Sequence, residues 1–257
     1  MDIGTMGMVP FVTAAIALAF VGIHLTIGRF RKLDRKPRSA WLSIGGGIAV
    51  AYVFLHIMPQ LALHQRQFEA GLDTGFWGVE LFVFGLALLG LVLFYAIEVW
   101  ARHHAGRTAR DRAAEVPREV VWTHTGAFAL YNLLIGYLLV HGEQEGGWAL
   151  GTYAVALGVH FVTTDHAMRR EGLDFYDSVS RWVLSASVVT GWLLGQIAML
   201  PELMVGCLFA FLGGGIVLNV LKEELPEERE SRVLPFMAGA LAYSALLLAE
   251  SIALHGG

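Results

Sequence analysis

The sequence predicts an all-α integral membrane protein with eight transmembrane helices and both termini extracytoplasmic, helices 1–3 and 6–8 forming an inverted repeat around helices 4 and 5. Three observations carry this prediction. Only 16% of the 257 residues are charged and 56% are apolar, with a mean hydropathy of +0.58, whereas a soluble domain carries about 25% charged residues. Apolar runs of roughly 20 residues, the length a helix needs to cross a bilayer, recur along the whole chain. The basic residues are confined almost entirely to alternate connections between those runs.

Taken in order, the runs cover about 9–28, 40–63, 76–100, 119–140, 147–167, 182–200, 202–221 and 234–254. The first reads as a retained helix, because Met1 to Gly7 holds no Lys or Arg and no small-residue cleavage pattern follows. The sixth and seventh are separated by little more than Pro201-Glu202, which implies a tight helical hairpin. No linker, low-complexity tract or second domain is left over, so residues 1–257 read as a single polytopic membrane domain. The 30 glycines suit membrane helices whose backbones approach closely.

The scarce charges supply the orientation. Arg29, Arg31, Lys32, Arg35, Lys36 and Arg38 fill the first connection, and Arg102, Arg107, Arg110, Arg112 and Arg118 the third. Arg169, Arg170 and Arg181 lie in the fifth, Lys222, Arg229 and Arg232 in the seventh, which leaves only Arg66 elsewhere among the 18 Lys and Arg. The positive-inside rule places those connections in the cytoplasm and both ends outside. A miscounted helix would scramble this alternation.

Helix 2 contains Gly45-Gly46-Gly47-Ile48 followed by Pro59-Gln60, and helix 7 contains Gly213-Gly214-Gly215-Ile216 followed by Pro226-Glu227. Helices 3 and 8 each carry an acid after an apolar stretch, Glu98 and Glu250. The two triplets cross in opposite directions by the loop count, the signature of an inverted repeat, an architecture that keeps its site near the membrane midplane.

The site is therefore sought in helices 4 and 5, the most polar of the eight. Helix 4 holds His124, Tyr131 and Asn132; helix 5 holds His160, Thr164 and Asp165. At 100° per residue, His124 and Tyr131 share a face, and Thr164 lies one turn from His160, whereas Asp165 is about 140° round from it. Ionisable groups inside a bilayer are costly and mark pathways. Other polar groups have plainer readings. His24 packs at the inner end of helix 1, His56 meets a carbonyl freed by Pro59, Glu80, Glu98 and Glu250 sit at membrane edges, and His103 and His104 belong to a loop.

At these residues the sequence resembles the Zrt/Irt-like (ZIP) family of divalent-metal transporters, which has eight helices, external termini and a metal site on helices 4 and 5. The family's His-Asn-x-x-acid-Gly motif aligns with Tyr131-Asn132-Leu133-Leu134-Ile135-Gly136, and its His-acid-x-Pro-Glu-Gly motif with His160-Phe161-Val162-Thr163-Thr164-Asp165. Phe54 to Gln60 resembles the family's helix 2 ending, and Glu223-Glu224-Leu225-Pro226-Glu227 its helix 7 ending. The resemblance implies a transported Zn²⁺ or other divalent cation rather than a permanently bound cofactor. His160 and Asn132 would be the first-choice ligands, with Tyr131 and Thr164 beside them and His124 and Asp165 on the cytoplasmic exit.

Two family carboxylates are replaced here, by Ile135 and Thr164. A dehydrated dication needs both ligands and counter-charge, so two readings stand: a transporter with a rearranged site, or a ZIP-fold protein that has lost metal transport and serves a binding or structural role. Enzyme chemistry is not expected, because no H-E-x-x-H, G-x-S-x-G or phosphate-binding glycine loop occurs and the single cysteine, Cys207, cannot form a thiolate cluster. The expected surroundings are a bacterial-type cell membrane; the expected partners are lipid, a metal ion and a second copy in a homodimer, with no nucleic acid.

Overall fold

The computed structural model describes residues 3–29, 40–71, 81–108, 118–141, 147–171, 175–224 and 233–255. Among these residues the regular structure is entirely helical, in eight rods. They are α1 (Ile3–Thr26), α2 (Ala40–Tyr52, continuing through a π turn at Val53–Ile57 into Met58–Gly71), α3 (Phe82–Thr108) and α4 (Arg118–His141). After them come α5 (Gly147–Glu171), α6 (Arg181–Ile197, entered through a π turn at Tyr176–Ser180), α7 (Glu202–Asn219, leaving through a π turn at Val220–Glu224) and α8 (Val233–His255).

Six rods are long and apolar enough to cross a membrane: Pro10–Arg29, Ala40–Ala70, Phe82–Ala101, Arg118–His141, Glu202–Lys222 and Val233–Ile252. The sequence expectation was eight. α5 is long enough, but His160, Thr163, Thr164, Asp165 and His166 make it polar, and all five are buried inside the bundle. α6 and its entry π turn form one unbroken helix over 175–197, also long enough, but Arg181, Ser185, Ser187, Thr190 and Gln196 dilute its apolar run. α2 runs past its expected end at residue 63 because its last turns pack on α3 and α7. Gln65 there accepts from the amide of Val83 at 2.9 Å, satisfying an otherwise orphaned donor at the start of α3. Residues 76–80, expected as the start of the third helix and including Glu80, lie outside the described residues. The α6–α7 hairpin is as tight as expected: the helix stops at Ile197 and restarts at Glu202 with Pro201 as its N-cap.

Glycines set the closest helix contacts. A Cβ on Gly47 would overlap the Phe236 carbonyl oxygen and crowd the Ala240 amide, and one on Gly239 would overlap the Ile44 carbonyl oxygen, so α2 and α8 touch backbone to backbone. In α3 and α7, Gly214 meets the Ala87 carbonyl oxygen and the Leu91 amide, and Gly90 meets the Phe211 carbonyl oxygen. The two contacts are one pattern used twice. An offset of 167 residues takes Ile44 to Phe211, Gly47 to Gly214 and the π turn Val53–Ile57 to Val220–Glu224; an offset of 149 takes Ala87 to Phe236, Gly90 to Gly239 and Leu91 to Ala240.

This register corrects two details read from sequence. The glycine triplets match one residue out of step, Gly47 with Gly214, and the same offset pairs Pro59 with Pro226, which lies outside the described residues. Glu98 and Glu250 are not equivalent, since Glu98 falls opposite Leu247. A three-residue slip leaves an acid near the same helix face, which is why the two stretches look alike in sequence.

Candidate functional site

α4 and α5 carry the polar residues, and adjacent positions on each helix face different neighbours. Asn132 follows Tyr131 by one residue, about 100° round, and Asp165 follows His160 by five, about 140° round. Tyr131 and His160 accordingly meet each other, while Asn132 and Asp165 both turn to α1 and His24.

The first group joins α4 to α5. The Tyr131 hydroxyl and His160 Nε2 are 3.1 Å apart, and Thr164 Oγ1 lies 3.5 Å from the same nitrogen. Tyr131 and His160 are 1% and 2% exposed, and among the described residues His160 Nδ1 has no partner. Removing the hydroxyl with Tyr131→Phe leaves His160 Nε2 with only the long Thr164 contact. A loss of about 1–3 kcal/mol is expected, read as a lowered melting temperature in detergent, with no loss if His160 is held by something else.

The second group joins α1, α4 and α5. His24 is 0% exposed and Asp165 1%; His24 Nδ1 is 2.6 Å from Asp165 Oδ2, and His24 Nε2 is 2.9 Å from Asn132 Oδ1. Asn132 donates through Nδ2 to the Phe128 carbonyl at 2.7 Å, which turns its oxygen toward His24. His24 Nε2 must therefore carry a proton, since Oδ1 can only accept. Nδ1 and Asp165 then share one further proton, as imidazolium with carboxylate or imidazole with carboxylic acid. Both forms are neutral as a pair, which is how a low-dielectric core tolerates them. Tyr176, ahead of α6, donates to the His24 carbonyl at 3.4 Å; burial first, and then the Asp165 carboxylate, push its phenol above the usual range.

Among the six residues expected at a site, the structure thus brings Tyr131, His160 and Thr164 together and puts Asn132 and Asp165 in a second group. His124 is in neither. Seven residues before Tyr131, about 10 Å along α4, it lies 3.5 Å from Glu98 of α3, which is also paired with Lys222 of the α7 π turn. Ile135, at the place of a family carboxylate, is 0% exposed.

Several plain readings change. His24 is a hub, and Glu98, with 12% of its side chain exposed, is an interhelical ion-pair partner near the end of the apolar span of α3. His56 lies within the α2 π turn and stacks on Tyr52, ring centroids 5.1 Å apart. Glu250 accepts from Thr152 Oγ1 at 3.0 Å. Tyr52 and Asn219 were missed: the 167-residue offset relates them, each immediately precedes a π turn, and each ends in a buried polar atom, Oη and Nδ2, with no partner among the described residues. Polarity within an apolar run was the signal for His24 and Asn219.

Among the described residues no group of three or more His, Cys, Asp or Glu is placed to hold a metal ion. What fold and site define is an all-helical membrane protein with a buried, mostly neutral polar core. The chain matches no protein-family model and no curated protein.

Proposed function

We propose that the chain is a ZIP-like transporter of eight spans in a cytoplasmic membrane, with both ends outside and α1–α3 and α6–α8 as an inverted repeat. It moves a divalent cation past α4 and α5. The observation that carries this reading is the recurrence of the backbone contacts and of the π turns at constant offsets in α2–α3 and α7–α8. π turns within helices occur mostly at functional sites, and a repeat of matched halves keeps the substrate path at the interface between them. His160, with Tyr131 and Thr164 against it, supplies the nitrogen and oxygen donors, and imidazole suits Zn²⁺, Cu²⁺ or Ni²⁺.

A second reading, a ZIP-fold protein without metal transport, is favoured by one observation: Asp165, a buried carboxylate of α5, is already engaged by His24, so the donors at His160 are neutral. Uptake of Zn²⁺, Mn²⁺, Fe²⁺, Co²⁺, Ni²⁺ and Cd²⁺ into proteoliposomes separates the two. Transport predicts flux of at least one ion above protein-free vesicles and a loss of about tenfold or more for His160→Ala. Absence of flux for every ion in folded wild-type protein leaves the second reading.

A further inference from the structure

One helix contact differs between the two halves. α4 and α6 touch backbone to backbone, a Cβ on Gly136 overlapping the Val188 carbonyl oxygen and one on Gly191 overlapping the Leu133 carbonyl oxygen. Exchanging the halves relates that contact to α5 with α1, and there the helices stand apart: a Cβ on Gly158 would touch only the Ile23 and Phe20 side chains, at 3.6 and 3.9 Å, and Gly22 faces open space. The room left between α1, α2 and α5 is a cavity of about 460 Å³, open to the outside of the bundle and lined by such residues as Ile23, Ile44, Ile48, Val155 and Val162. Its lining is almost wholly apolar, so water there would lack the polar partners that hold buried water in place.

One end of this groove is cationic. α1 and α5 finish there and α2 begins, with Trp41, 72% exposed, at the mouth. Arg170 lies seven residues beyond the lining residue Thr163, within about 20° of the same face and about 10 Å further along the axis. Arg29, six residues past Ile23, is exposed like Arg170, and among the described residues neither has a partner. Arg169, packed on Gly28, is instead neutralised by Asp177 at 3.0 and 3.1 Å.

We infer that this groove is a binding site for an anionic membrane lipid, one acyl chain lying between α1, α2 and α5 and the phosphate against Arg29 and Arg170. The apolar lining recognises the chain, and exposed guanidiniums next to an interfacial tryptophan recognise an anionic headgroup. A neutral lipid would satisfy only the first half. The site requires that the helices lie in a bilayer and is independent of whether the protein transports anything.

The test uses the full-length protein purified in detergent, titrated with phosphatidylglycerol or with phosphatidylcholine of the same chains. Thermal unfolding and native mass spectrometry are the readouts. Phosphatidylglycerol should be retained about tenfold or more better than phosphatidylcholine. Arg29→Gln with Arg170→Gln, both on exposed side chains, should bring the two lipids level. Val155→Trp, which adds bulk at a half-exposed lining position, should weaken both. Equal binding of the two lipids by the wild type overturns the site, as does a phosphatidylglycerol preference that survives the arginine pair. A dimer displaced by neither lipid and abolished by Val155→Trp would overturn it in favour of a second copy in the groove.

Discussion

Gly214→Ala should lower the melting temperature in detergent by roughly 6–12 °C. The added Cβ collides with the Ala87 carbonyl oxygen and would stand 2.9 Å from the Leu91 nitrogen, so no side chain can swing aside and the α3 and α7 backbones must separate. Overpacking costs about 1–3 kcal/mol where side chains can adjust, and a collision with backbone belongs at the upper end; for a chain of this length about 3 kcal/mol corresponds to that shift. Gly90, which meets Phe211 from the other side, would lose its contact as α7 moved, so the damage spreads through the pair. Gly47→Ala is expected to fall by a similar amount, because it makes the same contact at the matched position of α2 and α8. Gly85→Ala is the control: on α3, with nothing within 4 Å of its Cβ, it should be neutral or slightly stabilising, alanine being the better helix former by about 1 kcal/mol. A Gly214→Ala protein that melts within about 2 °C of Gly85→Ala would show that the close approach is not native.

His24→Ala should cost about 3–5 kcal/mol, the price of leaving a buried carboxylate without its partner. Asp165 is 1% exposed and its short contact is with His24, so truncation strands either a charge or an unsatisfied acid in the core. Asp165→Leu should be nearly as damaging, stranding the imidazole in turn. Replacing both, His24→Ala with Asp165→Leu, removes the charges together and should recover much of the loss. A remainder of about 1–3 kcal/mol is expected from the Asn132 oxygen left without a donor. A double-mutant cycle in thermal unfolding measures the coupling. If the two losses simply add, His24 and Asp165 do not act as a pair and the shared-proton description fails.

Much of the helical frame was legible because its signals are local. Apolar length, the alternation of basic connections and Pro201 between two runs each report on neighbouring residues, and α4, α5, α7 and α8 follow the predicted segments closely. α6 and α5 departed from the spanning signature for related reasons, polar residues diluting the apolar run of the first and lining the buried side of the second. Helical phase correctly kept Asp165 away from His160, since 140° of rotation is a property of the helix alone. It could not say what Asp165 would meet.

Composition and spacing determined that these residues form apolar helices, that two glycine triplets echo each other, and that polar groups concentrate on α4 and α5. The register of the echo, and the partner of each polar group, belong to packing. Gly47 pairs with Gly214 rather than with Gly215 because backbone oxygens of α8 and α3 occupy the space of a Cβ at just those positions. His24 looked like packing material in an apolar helix, and it became the hub of the core because α1 passes the faces of α4 and α5 that Tyr131 and His160 leave free. Periodicity assigns a side chain to a face of its own helix, and only the arrangement of the other helices says which group that face will meet.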